Sequence, residues 1–598
     1  MTPPYGASIS HDKTRFRVRS PRASALWLCL FSGAQERRVA MTRHGTDWIA
    51  ELPGDHAGAR YGIRADGLWD PPRGDWFDPA KLLVDPHAVE LDQRFVQDPR
   101  LAQYGADTAA LIPKALVPAK LPMVRKAKPR FASGGLIYEL NVRAFTMLHP
   151  DVPQQQRGTV AALAHPAIIA HLRKLRVSAV ELMPVTAWID ERHLPPVGLA
   201  NAWGYNPVVP MALDPGLCPG GVAELRDTVA TLHKAGIAVI LDLVFNHTGE
   251  SDVHGGLLAL RGLDNAAYAH AADGSLINDT GCGNTLDFAQ PAVRELTLSS
   301  LRHFVRHCGV DGFRFDLAPI MARGPGFDPA APLFAEIAAD PWLADRVLIA
   351  EPWDIGPGGY QLGQFPPGWL EWNDRFRDDV RRFWRGDGTI GALVTRIAGS
   401  SDLFGETCRS VNFLAAHDGF TLADTVAYEN RHNHANGEQN RVGHGENCSW
   451  NNGTEGPSAD PAIAAARAGD LRALLGTLFA SAGAIMLTAG DEFARTQHGN
   501  NNAYAQDNAE FWIDWQNRDH ALEDHVAALA GQRADRSTWS ARFPEPGAWH
   551  KPGSGPMTAE DWDNAATDGV IYDPSVQTGS GILEVSRSGR KVGWTRPQ

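Results

Sequence analysis

From residue 136 to 525 the chain alternates short apolar runs with amphipathic stretches. Strands of a parallel sheet are covered on both faces, so they read as near-continuous apolar runs, with helices filling the intervals. Such runs stand at 136–140, 179–183, 237–243, 312–315, 347–350, 411–415 and 485–488, and a weaker one at 369–372 brings the count to eight. Helical periodicity falls between some of them, as at 291–308 and 471–482. The pattern predicts an α/β fold, a (β/α)8 barrel over 136–525 with insertions.

The periodicity changes on either side. Over residues 1–98, Phe16 and Val18 alternate with arginines, Ala25, Trp27, Cys29 and Phe31 alternate through a second strand, and Gly, Asp and Pro clusters punctuate the rest. These features predict an N-terminal β-sandwich module. Residues 99–135 carry Pro113, Pro118, Pro122 and Pro129 among lysines and arginines and read as a connecting segment. In 526–598 the pattern fades to a few strand-like pieces, including 570–572 and 582–585, which predict a short β region.

Composition narrows the partners. A formal charge of -13 over 598 residues argues against nucleic acid or an anionic membrane, which want a basic field, and favours a neutral substrate. No run approaches eighteen apolar residues, and residues 1–20 lack the apolar core of a secretory signal. The six cysteines are scattered without a CxxC pair, which suits reduced thiols. The expected location is the cytoplasm.

Four acidic positions stand at or just after apolar runs: Asp242 in ILDLVFNH, Asp316 in DGFRFDLA, Glu351 in VLIAEPWD and Asp418 in NFLAAHDG. Strand ends of a barrel converge on one mouth, where the active site of this architecture lies. Asp316 and Glu351 are 35 residues apart, about one βα unit, and the four map to strands three, four, five and seven. Arg314 and Asp316, two apart on one strand, share a face, so the cation keeps Asp316 ionised, as a nucleophile requires. Glu351 must carry a proton instead, and burial beside other carboxylates would raise its pKa. Two carboxyls pushed apart in this way mark a glycosidase acid and nucleophile, roughly 5 to 5.5 Å apart if configuration is retained. His247 and His417 stand at the same mouth. An isolated strand-end acid is often only a cap or a satisfied polar group; four together with Arg314 and two histidines carry the functional reading.

These residues, in this order, resemble the four signature regions of the α-amylase superfamily, glycoside hydrolase family 13: DLVFNH, GFRFDLA, AEPWD and FLAAHD. WGYNP at 203–207, GCGNTLDF at 281–288, HNHANGEQNR at 432–441 and AGDEFARTQHGNNNAYAQDN at 489–508 look like its isoamylase and glycogen debranching branch. The N-terminal module, ending in DPAKLLVDPHA at 78–88, is similar to the family 48-type carbohydrate-binding domain. The resemblance implies hydrolysis of α-1,6 branch linkages in glycogen or its limit dextrins, with no cofactor and no metal. It makes Asp316 the nucleophile, Glu351 the acid/base and Asp418 the transition-state stabiliser. Arg314, His417, Asp242 and His247 would hold the sugar, Tyr205 would stack on its face, and Trp353 is a further substrate contact.

The sequence departs from the pattern at MALDPGLCPGG, 211–221, and in its short C-terminal region. His432, His434 and Glu438 are spaced closely enough for a metal, but a polar loop lining a glucan groove is the preferred reading. The polar run 498–508 offers plausible sugar contacts. The alternatives to debranching are a branching-type transglycosylase, a maltooligosyltrehalose hydrolase and a non-catalytic glucan-binding subunit. The complete carboxylate set weighs against the last.

Overall fold

The apolar runs of the middle region become the walls of a closed parallel barrel. In the computed structural model, which describes residues 4–10, 12–324, 326–405, 407–536, 548–553, 555–573 and 581–595, eight parallel strands close on themselves in sequence order.

The N-terminal sandwich has two antiparallel sheets. Its strands are β1 (Gly6–Ser10), β2 (Lys13–Arg19), β3 (Ala25–Ser32), β4 (Gln35–Ala40), β5 (Thr42–His44), β6 (Asp47–Pro53), β7 (Arg60–Asp66) and β8 (Ala115–Leu116). One sheet runs β1-β2-β6-β5 and the other β8-β7-β3-β4, so the segment expected to connect the module to the barrel also contributes a strand. In β2, Phe16 and Val18 are buried as the alternation predicts. In β3 the deeper face is the opposite one: Leu26, Leu28 and Leu30 are buried with Cys29, while Trp27 and Phe31 are half-buried. The core they join includes Ile189, Val208, Val209, Leu257 and Leu263 from insertions of the middle region. The sandwich therefore shares its apolar interior with the insertions of the middle region, while the barrel strands pack in clusters of their own.

The barrel strands are β9 (Leu136–Leu140), β10 (Ala179–Leu182), β11 (Ala238–Leu243), β12 (Gly312–Phe315), β13 (Val347–Ala350), β14 (Trp369–Asn373), β15 (Ser410–Asn412) and β16 (Ala484–Thr488). Their lumen is filled by Ile137, Ala179, Ala238, Ile240, Ile349, Trp372, Val411 and Met486. In-register pairs of parallel strands face the same way, so Glu139 pairs with Glu181, and Asp242 with Arg314, near the mouth. Gly312 permits a close approach of β12 to β13: a Cβ there would lie 2.3 Å from the carbonyl oxygen of Val347. The seventh strand is shorter than the run 411–415 predicts, ending at Asn412, whose side-chain amide donates to Ser481 Oγ and to the Ala482 carbonyl. Asp418 thus leaves from a loop.

The helix expected over 471–482 is the later part of a twenty-residue helix, Pro461–Ala480, capped by Asp460. The chain ends in a four-stranded antiparallel sheet, β17 (Ala548–His550), β18 (Gly569–Asp573), β19 (Ile582–Ser586) and β20 (Lys591–Thr595). Its Val570, Tyr572, Leu583 and Val585 join the apolar layer outside the barrel. All six cysteines are free. Among the described residues no helix is long and apolar enough to cross a membrane.

Candidate active site

Arg314, fully buried on β12, lies at the centre of the mouth. Its Nη1 donates to both Asp242 oxygens, at 3.0 and 2.9 Å, and to Asp316 Oδ1 at 3.1 Å, while Nη2 lies 3.1 Å from Glu351 Oε2. The Trp372 ring lies under the guanidinium, 4.2 Å from ring centroid to Cζ. One cation on a stiff planar fork thus spans three of the four expected carboxylates. A buried guanidinium needs such partners, since desolvating it alone costs several kcal/mol.

The turn after Asp316 joins the expected nucleophile to Glu351. Leu317 has a left-handed backbone, φ 41, unusual for a branched side chain. Its N–H donates to Glu351 Oε2 at 2.7 Å, and the N–H of Ala318 to the Glu351 carbonyl at 3.0 Å. On the other side Asn246 Nδ2 donates to Asp316 Oδ2 at 2.7 Å and to its carbonyl at 2.8 Å. The carboxylate of Asp316 is therefore held at both oxygens.

Burial pushes the Glu351 carboxyl up to about 8; Arg314 opposes the rise, and the charges of Asp316 and Asp418 add to it. Burial also lifts Asp242 to about 6 against the pull of Arg314. Burial works against charge on His417, yet Glu139, 2.7 Å from Nδ1, carries that imidazole up to about 9. Burial at the mouth would raise Asp418, but the hydrogen bond from His444 and the charges of His417 and Arg377 hold it well below the usual carboxylate range. Deeper in the lumen both Glu181 oxygens lack hydrogen-bond partners, and burial beside Asp242 and Glu139 raises that group far above the usual range.

The remaining expected contacts divide. Tyr205 stacks on His417, ring centroids 4.7 Å apart, and its hydroxyl donates to Asp242 Oδ2 at 2.5 Å. Trp203 meets His417 edge-on at 5.0 Å. Both ring nitrogens of buried His247 face neighbouring oxygens, Asn246 Oδ1 at 2.5 Å and the Tyr205 carbonyl at 2.8 Å, so this histidine braces the wall of the mouth. Trp353 packs half-buried against the lumen residues. His432 lies 3.0 Å from Glu455, whereas Glu438 lies 3.5 Å from His193, so these two face different partners.

Four residues join this group that the sequence reading did not select: Glu139, Asn246, Trp372 and His444. Glu139 lies one residue before the end of the first apolar run and Asn246 lies inside DLVFNH, so nearness to a strand end could have found both. His444, whose Nε2 lies 3.2 Å from Asp418 Oδ2, has no periodic signal around it. The polar runs 432–441 and 498–508 interlock: Asn433, Asn436, Asn500 and Asn501 are buried, and their amides bond mainly to one another and to backbone. These asparagines fasten two loops together instead of lining the groove.

Residues 4–88 match carbohydrate-binding module 48, the isoamylase N-terminal domain. The chain is 47% identical over 547 residues to the glycogen debranching enzyme of Yersinia enterocolitica, covering 88% of this chain and 82% of that protein. It is 44% identical over 586 residues to the glycogen debranching enzyme of Cronobacter sakazakii, covering 94% and 88%. Among solved structures it is similar to pullulanase type I from Bacillus subtilis, with 20% identity and a TM-score of 0.72 over 98% of this chain and 79% of that one.

Proposed function

Since the chain belongs to the glycogen debranching enzymes, we propose that Asp316, Glu351 and Asp418 carry its chemistry, in a retaining double displacement at the mouth of the barrel. The protein is a glycoside hydrolase that opens α-1,6 branch linkages of glycogen or limit dextrins. Glu351, protonated, gives its proton to the glycosidic oxygen as that bond breaks, and Asp316 attacks the anomeric carbon to form a glycosyl ester. Glu351, now ionised, takes a proton from water, which displaces Asp316 and restores both groups. Asp418 grips the sugar as positive charge develops, with Arg314, Asp242 and His417 around it and the Tyr205 ring as a platform. The scheme uses side chains of this chain alone. We place it in the cytoplasm, where the thiols would stay reduced.

The observation that supports this assignment best is the single buried guanidinium touching Asp242, Asp316 and Glu351. It draws the expected nucleophile and the expected acid to one cation, while burial retains the proton of Glu351. Incubation with phosphorylase-limit glycogen is expected to release short linear chains and raise reducing ends. No release from limit dextrin together with cleavage of linear amylose would refute it.

A further inference from the structure

Asp418 reaches the cleft from a loop, six residues beyond the end of β15, so no strand fixes the direction of its carboxylate. His444 supplies a constraint, with Nε2 3.2 Å from Asp418 Oδ2. Both residues hang from one bracket. Asn501 Nδ2 donates to the His444 carbonyl at 2.9 Å, and the Asn501 carbonyl accepts from the N–H of Gly419, next to Asp418, at 2.9 Å. Asn501 is buried and tied to Asn433 twice, through its own N–H at 2.9 Å and its Oδ1 at 2.8 Å. Gly443 completes the bracket with φ +107; a Cβ there would lie 2.4 Å from Asn433 Nδ2 and from Asn501 Oδ1. Buried amides therefore set the distance between imidazole and carboxylate. The His444 side chain itself is 47% exposed, so it can be replaced without emptying a core.

We propose that His444 is a positioning residue for Asp418, tying Oδ2 so that Oδ1 stays aimed at the hydroxyls of the glucose unit in the cleft. The inference rests on the reading of Asp418 as the carboxylate that grips the sugar at the transition state. A hydrogen bond to a charged group that sharpens only the transition-state grip lowers kcat and kcat/KM together when lost.

The test uses the full chain on limit dextrin, with His444→Ala, His444→Leu, His444→Gln, Asp418→Asn and the His444→Ala/Asp418→Asn double variant. His444→Ala and His444→Leu are expected to lose about ten- to hundredfold in kcat with little change in KM or Tm. His444→Gln, which keeps an N–H donor, recovers most of it. In the Asp418→Asn background the His444→Ala change costs nothing further, because the partner charge is gone. Wild-type kcat in both non-donor variants, a loss confined to KM, no recovery with Gln, or an equal loss in the Asp418→Asn background would each overturn the proposal. Near wild-type turnover by Asp418→Asn alone would overturn it through its premise, an outcome that does not involve His444.

Discussion

At Arg314 three carboxylates share one guanidinium, and the protonation of Glu351 and of Asp242 depends on the charges of Arg314 and Asp316 around them. The direction of each limb of the pH profile follows. Glu351 is raised to about 8 and must be protonated to donate, so activity falls as pH climbs through about 8. Asp242 is raised to about 6 and must be ionised to hold Arg314, so activity falls as pH drops through about 6. The kcat/KM profile on limit dextrin is expected to be a bell between these limits, and a profile still rising at pH 9 would reassign the acid. Asp316→Asn and Glu351→Gln are each expected to abolish nearly all turnover while glucan binding persists in an affinity gel; substantial residual turnover in either would mean the roles are misplaced.

Among the barrel strands, β12 carries a tight constraint. Gly312 approaches the Val347 carbonyl where no Cβ fits, two residues before Arg314. Gly312→Ala must push β12 and β13 apart, and overpacking of this kind costs about 1–3 kcal/mol; denaturant unfolding should record that loss, and an unchanged midpoint would show that the strands yield easily. The barrel strands were legible because burial on both faces leaves continuous apolar runs, and 312–315 and 347–350 coincide with β12 and β13. The run 411–415 over-reached, since Phe413, Leu414 and Ala415 are buried in a loop that follows the strand. Apolar content reports burial there and says nothing of pairing. His444 was illegible for another reason: its place is set by Asn501, on a loop distant in the chain, and contacts between distant polar loops leave no period in a sequence.

For the whole molecule, the interior that the sandwich shares with the insertions of the middle region decides how the chain unfolds. Tyr61, Ile63 and Leu83 of the N-terminal module pack in one cluster with Ile189, Val208 and Leu257 of the middle region. Removing the module would expose that apolar surface, so it braces the barrel whether or not it binds glucan. Calorimetry is expected to give one cooperative transition for module and barrel together; two well-separated transitions would show that the contact contributes little.

The interlocked asparagines have a consequence for the ageing of the protein. Asn436 precedes Gly437, the dipeptide most prone to lose its amide when the glycine nitrogen is free to attack the side-chain carbonyl. Here the Gly437 N–H donates to His434, the Asn436 oxygen accepts from Asn500 and Gln506, and its amide donates to Asn502. The attack needs all of these to open, so conversion of Asn436 to aspartate would act as a slow chemical clock, counting how often the two loops come apart.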